Sequence, residues 1–247
     1  MLNSDPLVLA LDTATPMQSL AIIRGQRILF EASCSSQTKD GPGLLSLVDA
    51  ALHHCELKIA DIDRFVVSRG PGAFTGLRVS MAMLKSLALT LDKPLYAASS
   101  LEAIAYDAMP DSAIVAACID ARRGEMYASF HAWKDGKIEP LSDELLLKPE
   151  DFVAYVNRVF PEQSVVCVGP AFPNHSRKIS AACPRLLLRS ANPRAAVLAK
   201  IVLNRYPDSL PDVPLEALEP KYIRMEDFEL PKPFDFSQPG QFRANKS

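Results

Sequence analysis

Runs of apolar residues divide the first 108 positions into a series of strands and helices. Short apolar runs bounded by turn residues are typical of strands, whereas apolar residues recurring every three or four positions are typical of helices. The expected elements are strands at 7–13, 18–24, 27–33, 63–68 and 95–98 and helices at 44–55, 77–91 and 101–108. This part of the chain is therefore expected to form a sheet flanked by helices.

A similar series of patterns follows in the second part of the chain. The expected elements are strands at 113–120, 125–133, from 137 onward, 164–168 and 185–189 and helices at 149–159 and after Asn192-Pro193. In each half an apolar strand ends in an aspartate, Asp12 or Asp120, before a hairpin. A later strand leads into Gly70-Pro71 or Gly169-Pro170. Matching motifs in the same order predict a duplicated α/β fold.

The residues after 205 differ in composition from the two halves. Seven prolines lie between Tyr206 and Ser247, and such a density prevents regular helix because proline lacks an N–H and fixes its φ angle. The aromatic residues of this segment, Tyr222 among them, indicate that part of it packs on the body of the protein. The predicted division is a lobe at 1–108, a lobe at 109–205 and a proline-rich extension at 206–247.

Composition and charge exclude some classes of partner. The chain has 247 residues, 48% of them hydrophobic, and a formal net charge of −2, so no overall positive field draws it to nucleic acid or an anionic membrane. The longest unbroken apolar stretch, at 113–119, is far shorter than the roughly 20 residues of a membrane span. The first residues lack the basic segment of a signal peptide. We therefore expect a cytoplasmic protein with no membrane contact.

No motif for metal binding or nucleophilic catalysis stands out. The five cysteines are scattered without a Cys-x-x-Cys pair, and the adjacent His53 and His54 would point about 100° apart on a helix. The Gly-x-Ser-x-Gly motif of serine hydrolases is absent. A Ser–His or Cys–His pair formed only in three dimensions remains open. We expect no metal, no cofactor and no catalytic residue from this chain, surface or partly buried histidines, and Cys118 and Cys167 in the core.

A glycine-rich stretch lies between the expected strand at 63–68 and the expected helix at 77–91. Backbone N–H groups at a helix N-terminus can hold an anion, and Arg78 could assist. The Gly-Lys-Ser/Thr of a P-loop is absent, however, so a tight turn that needs glycine for backbone reasons is favoured, with Thr75 as the helix cap. The candidate residues of this loop are Gly70, Pro71, Gly72, Phe74, Thr75, Gly76 and Arg78.

The two hairpins that follow the aspartates form a second candidate site. In sugar kinases, Hsp70 and actin, each half has an aspartate and a glycine-rich hairpin that wraps nucleotide phosphates. The candidate residues here are Asp12, Thr13, Asp120, Arg122 and Arg123. Ala14, Arg122 and Pro170 stand where close approach of phosphate or adenosine favours glycine, so weak or absent ATP binding is expected. Asp120 and the two arginines are expected to form a structured turn rather than a catalytic group.

The expected helix at 77–91 is apolar on all sides. Such a helix either lies in the core or is covered by a partner, and both interpretations remain open. Methionine suits an adaptable protein interface because its side chain is flexible. The interface candidates on this helix and the preceding one are Leu45, Val48, Leu52, Met81, Met83, Leu84 and Leu87.

Three stretches together resemble the TsaB (YeaZ) family. They are LALDTAT at 9–15, GPGAFTGLR at 70–78 and IDARRGEMY at 119–127, which occur in the family's order and at similar spacing. The helix start at Ser99-Ser100 and the segment EPKYIR at 219–224 also resemble the family, and the likeness extends to about Pro231. One departure is KDGPG at 39–43, where family members usually carry a His followed by Ser or Thr.

The resemblance implies a two-lobed RNase H-like fold of the actin and Hsp70 superfamily. It also implies a noncatalytic partner of the paralogue TsaD, which with the ATPase TsaE transfers a threonylcarbamoyl group to the adenosine beside the anticodon of tRNAs reading ANN codons. The first two helices would pair with TsaD, or with a second copy when TsaD is missing, and tRNA would be a substrate of the complex alone. A phosphotransferase of the superfamily, a metallopeptidase and a purely structural homodimer are the alternatives.

Overall fold

The computed structural model describes residues 5–36, 43–108, 114–134 and 137–223. The first lobe contains, in chain order, β1 (Leu7–Asp12), β2 (Met17–Arg24), β3 (Arg27–Ser35), α1 (Leu44–His54), β4 (Arg64–Ser68), α2 (Phe74–Leu91), β5 (Leu95–Ala98) and α3 (Ser100–Ala108). Its sheet has the order β3-β2-β1-β4-β5, with β1 antiparallel to β2 and parallel to β4. Every residue of β1 and β4 is buried, as expected for central strands covered on both faces.

The second lobe repeats this arrangement. It contains β6 (Ile114–Arg122), β7 (Glu125–Lys134), β8 (Lys137–Pro140), β9 (Leu145–Leu147), α4 (Pro149–Val159), β10 (Val165–Val168), α5 (Phe172–Ala182), β11 (Leu187–Arg189) and α6 (Ala195–Arg205). The sheet order β8-β7-β6-β10-β11 matches that of the first sheet strand for strand, and β9 also pairs with β7. The predicted duplicated RNase H-like α/β fold is confirmed.

The last helix of each lobe packs against the sheet of the other lobe. α3 contacts β6 and β10, and its Leu101 lies in one cluster with Val115. α6 covers β1, β2 and β4, where its Leu198 lies in one cluster with Val8. The two helices also contact each other. The predicted boundary at residue 108 therefore separates the two sheets, whereas the apolar contacts of α3 and α6 join the lobes.

Two helix starts differ from the prediction. α2 begins at Phe74 rather than Leu77, and its N-cap is Ala73 without a side-chain bond, so Thr75 lies inside the first turn and is not the cap. α6 begins at Ala195, whose N–H donates to the Ser19 hydroxyl at 3.0 Å. The helix was expected directly after Asn192-Pro193, and its first N–H is instead satisfied by a side chain from the distant strand β2.

Two elements were not predicted at all. The strand β9 has three residues, and the helix α5 begins with Phe172-Pro173 after the second Gly-Pro loop. Proline is tolerated in a first turn because the N–H that it lacks has no partner within the helix. The loop expected at this place is therefore the start of a helix.

The described part of the proline-rich extension packs on the first lobe. The buried Arg64 donates to the backbone oxygens of Tyr206 and Pro207 at 2.7 and 2.9 Å. Further along, the N–H of Lys221 donates to the oxygen of Arg69 at 2.8 Å. Residues 206–223 of the extension thus contact the first lobe. The rest of the extension lies outside the described residues. Residues 39–42, part of the segment before α1 that departs from the family pattern, also lie outside them.

Candidate functional site

A cleft of about 410 Å³ lies between the hairpin that joins β1 to β2 and the hairpin that joins β6 to β7. Gly72 and Phe74 line it from the first lobe, and Asp120 and Arg122 line it from the second. The structure therefore brings together four of the predicted residues. Asn174 also lines the cleft and was not predicted, because it belongs to the unexpected helix α5.

Asp12 at the end of β1 is fully buried and is not among the residues that line the cleft. Its carboxylate accepts hydrogen bonds from the Ala14 N–H at 2.9 Å and from the Ser100 hydroxyl at 2.7 Å. Burial raises the pKa of Asp12 above its usual 3.8, although these hydrogen bonds oppose the shift. The neighbouring Thr13 is also buried, and its hydroxyl lies 2.7 Å from that of Ser80 in α2. Both predicted residues therefore tie the first hairpin to helices.

The glycine-rich loop before α2 packs directly against the first hairpin. A Cβ at Gly72 would lie 2.2 Å from the Ala14 oxygen, and a Cβ at Gly76 would lie 2.3 Å from the Thr13 oxygen. The Ala73 N–H donates to the Ala14 oxygen at 2.7 Å, so a carbonyl occupies part of the helix N-terminus that an anion would need. The glycines allow two backbone segments to approach closely, in agreement with the favoured interpretation of the sequence.

Asp120 on the second lobe is placed differently, because it lines the cleft. Its carboxylate accepts the Arg122 N–H at 2.8 Å and the Asn174 side-chain amide at 2.5 Å. The backbone of Arg122, Arg123 and Gly124 has φ angles of 63°, 53° and 78°, which form a tight left-handed turn between β6 and β7. The predicted structured turn is present, and the absence of a catalytic role for Asp120 stays a prediction.

Arg78 holds the extension against the start of α2. Its guanidinium lies 4.0 Å from the centre of the Phe74 ring, and its Nε donates to the Tyr222 hydroxyl at 3.0 Å. The two rings are themselves 5.2 Å apart. A cation over aromatic faces is a favourable contact. Arg78 is exposed, as the favoured interpretation of the sequence expects, and it also contacts Phe74 and Tyr222; a role for it in anion binding stays a prediction. Gly70 and Pro71, by contrast, are buried in the turn.

Buried histidines and thiols do not form a metal site within the described residues, where no group of three His, Cys, Asp or Glu side chains is arranged to hold an ion. The histidines of α1 are exposed, but His131 and His175 are buried, which corrects the expectation that each histidine is at the surface or partly buried. Cys118 and Cys167 are buried as predicted, and burial raises the pKa of both thiols, that of Cys167 to about 12. Thiols that stay protonated are poor nucleophiles.

The helices α1 and α2 expose an apolar face. Five of the 18 residues of α2 are buried, whereas Val79 and Leu89 are 52% and 75% exposed. Leu45 on α1 is 67% exposed. A groove of about 660 Å³ lies along α1 and is lined by Leu45 and, from α2, by Leu87. The helix that is apolar on all sides thus has one side in the core and another at the surface.

The predicted interface residues divide according to this orientation. Leu45 is exposed and Met83 and Leu87 are partly buried, so these side chains reach the surface. Met81 and Leu84 belong instead to the core of the first lobe, where they are 3% and 0% exposed. Val48 and Leu52 are also buried, although both border the groove. Met81 and Leu84 are therefore corrected from interface to core residues, because their side chains are covered by their own lobe.

Within the described residues, α2 is the one helix long and apolar enough to cross a membrane by length and composition. Polar residues such as Ser80 and Lys85 interrupt this helix, so it contains no long unbroken apolar stretch. A helix covered by a protein partner meets the same criterion, and one such helix carries little weight by itself.

Two sheets of equal strand order, with an aspartate and a hairpin at the first strand of each, define the duplicated class that includes actin, Hsp70 and sugar kinases. An activator of 2-hydroxyisocaproyl-CoA dehydratase from Clostridium difficile is similar, with a TM-score of 0.51 at 13% identity over 82% of this chain and 96% of that one. A likeness at this identity shows the fold alone.

A family model described as "TsaD: tRNA N6-adenosine threonylcarbamoyltransferase" matches residues 42–180, more than half of the chain. The Bacillus subtilis "tRNA threonylcarbamoyladenosine biosynthesis protein TsaB" is 30% identical over 132 residues, which are 53% of this chain and 58% of that protein. The Escherichia coli protein of the same description is 29% identical over 226 residues, 88% of this chain and 94% of that one. A solved structure from Pseudomonas aeruginosa, described as an uncharacterized protein with similarity to peptidase YeaZ, has a TM-score of 0.72 and 26% identity over 89% of this chain and 100% of its own.

The chain belongs to the family of the TsaD model, and within it to the TsaB/YeaZ group. The resemblance found in the sequence is confirmed. The match with the first relatives spans little more than half of their length, 58% for the Bacillus subtilis protein and 56% for a Mycobacterium tuberculosis protein.

Proposed function

We propose that this chain is a noncatalytic subunit of the machinery that forms N6-threonylcarbamoyladenosine next to the anticodon of tRNAs reading ANN codons. Its partner is a TsaD protein, which carries the metal and nucleotide site, and TsaE joins through the complex. The tRNA is a substrate of the complex alone, and the work takes place in the cytoplasm without a membrane. The descriptions of the Bacillus subtilis and Escherichia coli relatives support the pathway.

The exposed apolar face of α1 and α2 is the observation that carries this proposal. Val79, Leu89 and Leu45 are each more than half exposed. Contiguous apolar patches on soluble proteins commonly mark interaction sites. On the same side of α2 the small residues Ala82 and Ser86 are exposed, and small side chains let a second helix approach closely. A TsaD helix pair covers this face in the complex, and a second copy covers it as a twofold dimer when TsaD is missing.

The interlobe cleft supports a noncatalytic role. Asp12 is sealed behind the cleft wall by its hydrogen bonds to Ala14 and Ser100. The Asp120 carboxylate is engaged by its own turn and by Asn174. Both aspartates are thus held by groups of the protein itself, which supports a structural rather than a catalytic role for them. The chemistry therefore belongs to the partner.

The test places a charge on the exposed face and compares it with the same change elsewhere. Leu89→Asp and Met83→Asp are expected to make the free protein monomeric and to weaken TsaD binding at least tenfold, because an unpaired charge in an interface loses its hydration. Leu187→Asp is the matched control, since Leu187 is a 55% exposed leucine on the other lobe. Light scattering reports the oligomeric state, titration calorimetry with purified TsaD reports affinity, and circular dichroism reports folding.

Met81→Asp is unsuitable as an interface probe, since Met81 is 3% exposed and its replacement disturbs the core. If folded Leu89→Asp and Met83→Asp proteins kept both the dimer and TsaD binding, the interface would lie elsewhere. A mixture of this chain with TsaD and TsaE should modify tRNA, whereas this chain with TsaE alone should not. Modification without TsaD would contradict the noncatalytic role.

A further inference from the structure

A second pocket between the lobes shares no lining residue with the hairpin cleft. Its volume is about 350 Å³, and it lies between the start of α3, the strands β7 and β8, the end of α6 and the extension. Its polar lining includes Arg69, Glu102, His131, Asp143, Arg205 and Lys221. No part of the proposed function makes use of it.

His131 leaves an unsatisfied atom at this pocket. The side chain is 5% exposed, and burial lowers its pKa to about 4, so the ring is neutral near pH 7. Nε2 lies 2.8 Å from the Ser129 hydroxyl, but Nδ1 has no hydrogen-bond partner among the described residues. A buried polar atom without a partner is costly, so such atoms are usually satisfied by water or a ligand.

The charged side chains of the pocket are paired with two exceptions. Arg205 forms an ion pair with Glu102, and Lys221 Nζ lies 2.7 Å from a carboxylate oxygen of Glu144. Arg69 and Asp143 also line the pocket, and within the described part of the chain neither side chain forms a hydrogen bond or an ion pair, although the charge of Arg69 also acts on the Glu102 carboxylate at longer range. The pocket therefore offers one cation and one anion of its own, beside a neutral imidazole.

We propose that this pocket binds a small zwitterion, namely an α-amino acid with a hydroxyl or amide side chain. The ligand carboxylate pairs with Arg69, its ammonium group pairs with Asp143, and its side chain bonds to Nδ1 of His131. A neutral imidazole nitrogen is a donor or an acceptor according to the tautomer, and a hydroxyl group can serve as either. A ligand with opposite charges matches the two unpaired side chains without leaving a net charge in the pocket.

The extension would close over such a ligand. Lys221 lines the pocket, its backbone N–H is bonded to the Arg69 oxygen, and its ammonium group is paired with Glu144 on the other lobe. Binding in this pocket is independent of the α1–α2 face, so its test does not depend on TsaD.

The experiment follows the histidine ring signals by NMR while L-serine is added to the full chain. There are four histidines, so His→Asn variants assign each ring. The His131 signals are expected to shift and saturate, whereas those of His53 and His54 should stay in place. L-Alanine is the matched probe without the hydroxyl group and is expected to bind at least fivefold more weakly. Sodium chloride at equal ionic strength controls for salt effects.

Variants then separate the two charges of the ligand. Arg69→Gln and Asp143→Asn are each expected to weaken serine binding at least tenfold, because each leaves one end of the zwitterion unpaired. Arg158→Gln, an exposed arginine on α4 that does not line the pocket, should leave binding unchanged. The proposal is overturned if His131 does not respond to serine, if serine and alanine bind equally, or if a folded Arg69→Gln protein binds serine like the parent.

Discussion

The two lobes contain equivalent hairpins in opposite environments. In the first lobe the glycine-rich loop lies against the hairpin backbone, and Asp12 is fully buried behind it. In the second lobe the aspartate at the matching strand, Asp120, lines the cleft and its turn carries two arginines. The two lobes therefore share one strand order but differ at the cleft. Backbone packing closes the side formed by the first lobe, whereas side chains fill the side formed by the second lobe.

The helices that follow the Gly-Pro loops differ in the same way. α2 has 18 residues and an exposed apolar face, whereas α5 has 11 residues and exposes polar side chains such as Asn174, Arg177 and Lys178. Equal positions in the fold therefore present a surface suited to a protein partner on one lobe and a solvated surface on the other. If backbone packing closes the first lobe, substitutions at its hairpin should lower the free energy of unfolding more than equivalent substitutions in the second lobe.

The largest effect is expected when a methyl group is added where the loop meets the first hairpin. In Gly72→Ala the new Cβ would lie 2.2 Å from the Ala14 oxygen, so backbone must move. Overpacking of this kind costs about 1–3 kcal/mol and occasionally more. Gly124→Ala in the second hairpin meets no atom within 4 Å, and its positive φ of 78° costs about 1 kcal/mol. Urea unfolding measures both, and an equal loss would show that the first lobe is not closed more tightly.

A difference of similar size is expected between the two aspartates. Asp12→Ala leaves the Ala14 N–H and the Ser100 hydroxyl without their acceptor in a buried place, which costs about 2–3 kcal/mol. Asp120→Ala frees the Arg122 N–H and the Asn174 amide, both on exposed residues that water can reach, so the cost should stay below about 1 kcal/mol. The conservative Asp120→Asn protein should also support tRNA modification with TsaD and TsaE. Complete loss of modification by a stable, complex-forming Asp120→Asn protein would contradict its assignment to the turn.

All strands except β9 could be predicted from the sequence because their patterns are local. The apolar runs of β1 and β4 indicate central strands without reference to distant parts of the chain. The repeated aspartate and Gly-Pro motifs indicate the duplication. α5 was missed because Pro173 and several polar residues obscure its helical period. Its presence could have been inferred from α2, the helix at the equivalent position in the other half.

The candidate site was less predictable because it depends on distant contacts. Arg78 and Tyr222 are 144 positions apart, and no local pattern joins them. The sequence placed Met81 and Met83 together as interface candidates, since a helix that is apolar on all sides gives no sign of which side faces the core. The tertiary structure separates them, with Met81 in the core and Met83 towards the surface.

A further effect concerns the pH dependence of stability. Burial raises the pKa of Asp12 above 3.8, so the native state binds this proton more tightly than the unfolded chain does. The resulting stabilisation is fully present below pH 3.8 and is lost as the pH rises through the native pKa. Asp12→Asn cannot ionise, so the excess stability of the parent over this variant should fall from pH 4 to pH 8, by roughly 1.4 kcal/mol for each unit of pKa shift. An excess that grew with pH would instead show that the hydrogen bonds of Asp12 outweigh its burial.

The smallest expected effect is that of Mg-ATP on the isolated protein. A nucleotide bound in the hairpin cleft would need the loop backbone close to its phosphates, but the Ala73 N–H is already bonded to Ala14, and Arg122 and Pro170 line the opposite side. A ligand that binds the native state raises its stability according to its concentration over its dissociation constant. We therefore expect no change in Tm at millimolar Mg-ATP and no heat in titration calorimetry. Ala14→Gly should not restore binding, because the Ala14 carbonyl rather than its methyl group occupies the N-terminus of α2. Micromolar binding that disappears in a folded Asp12→Ala protein would mean that the first lobe opens in solution and that its nucleotide site survives.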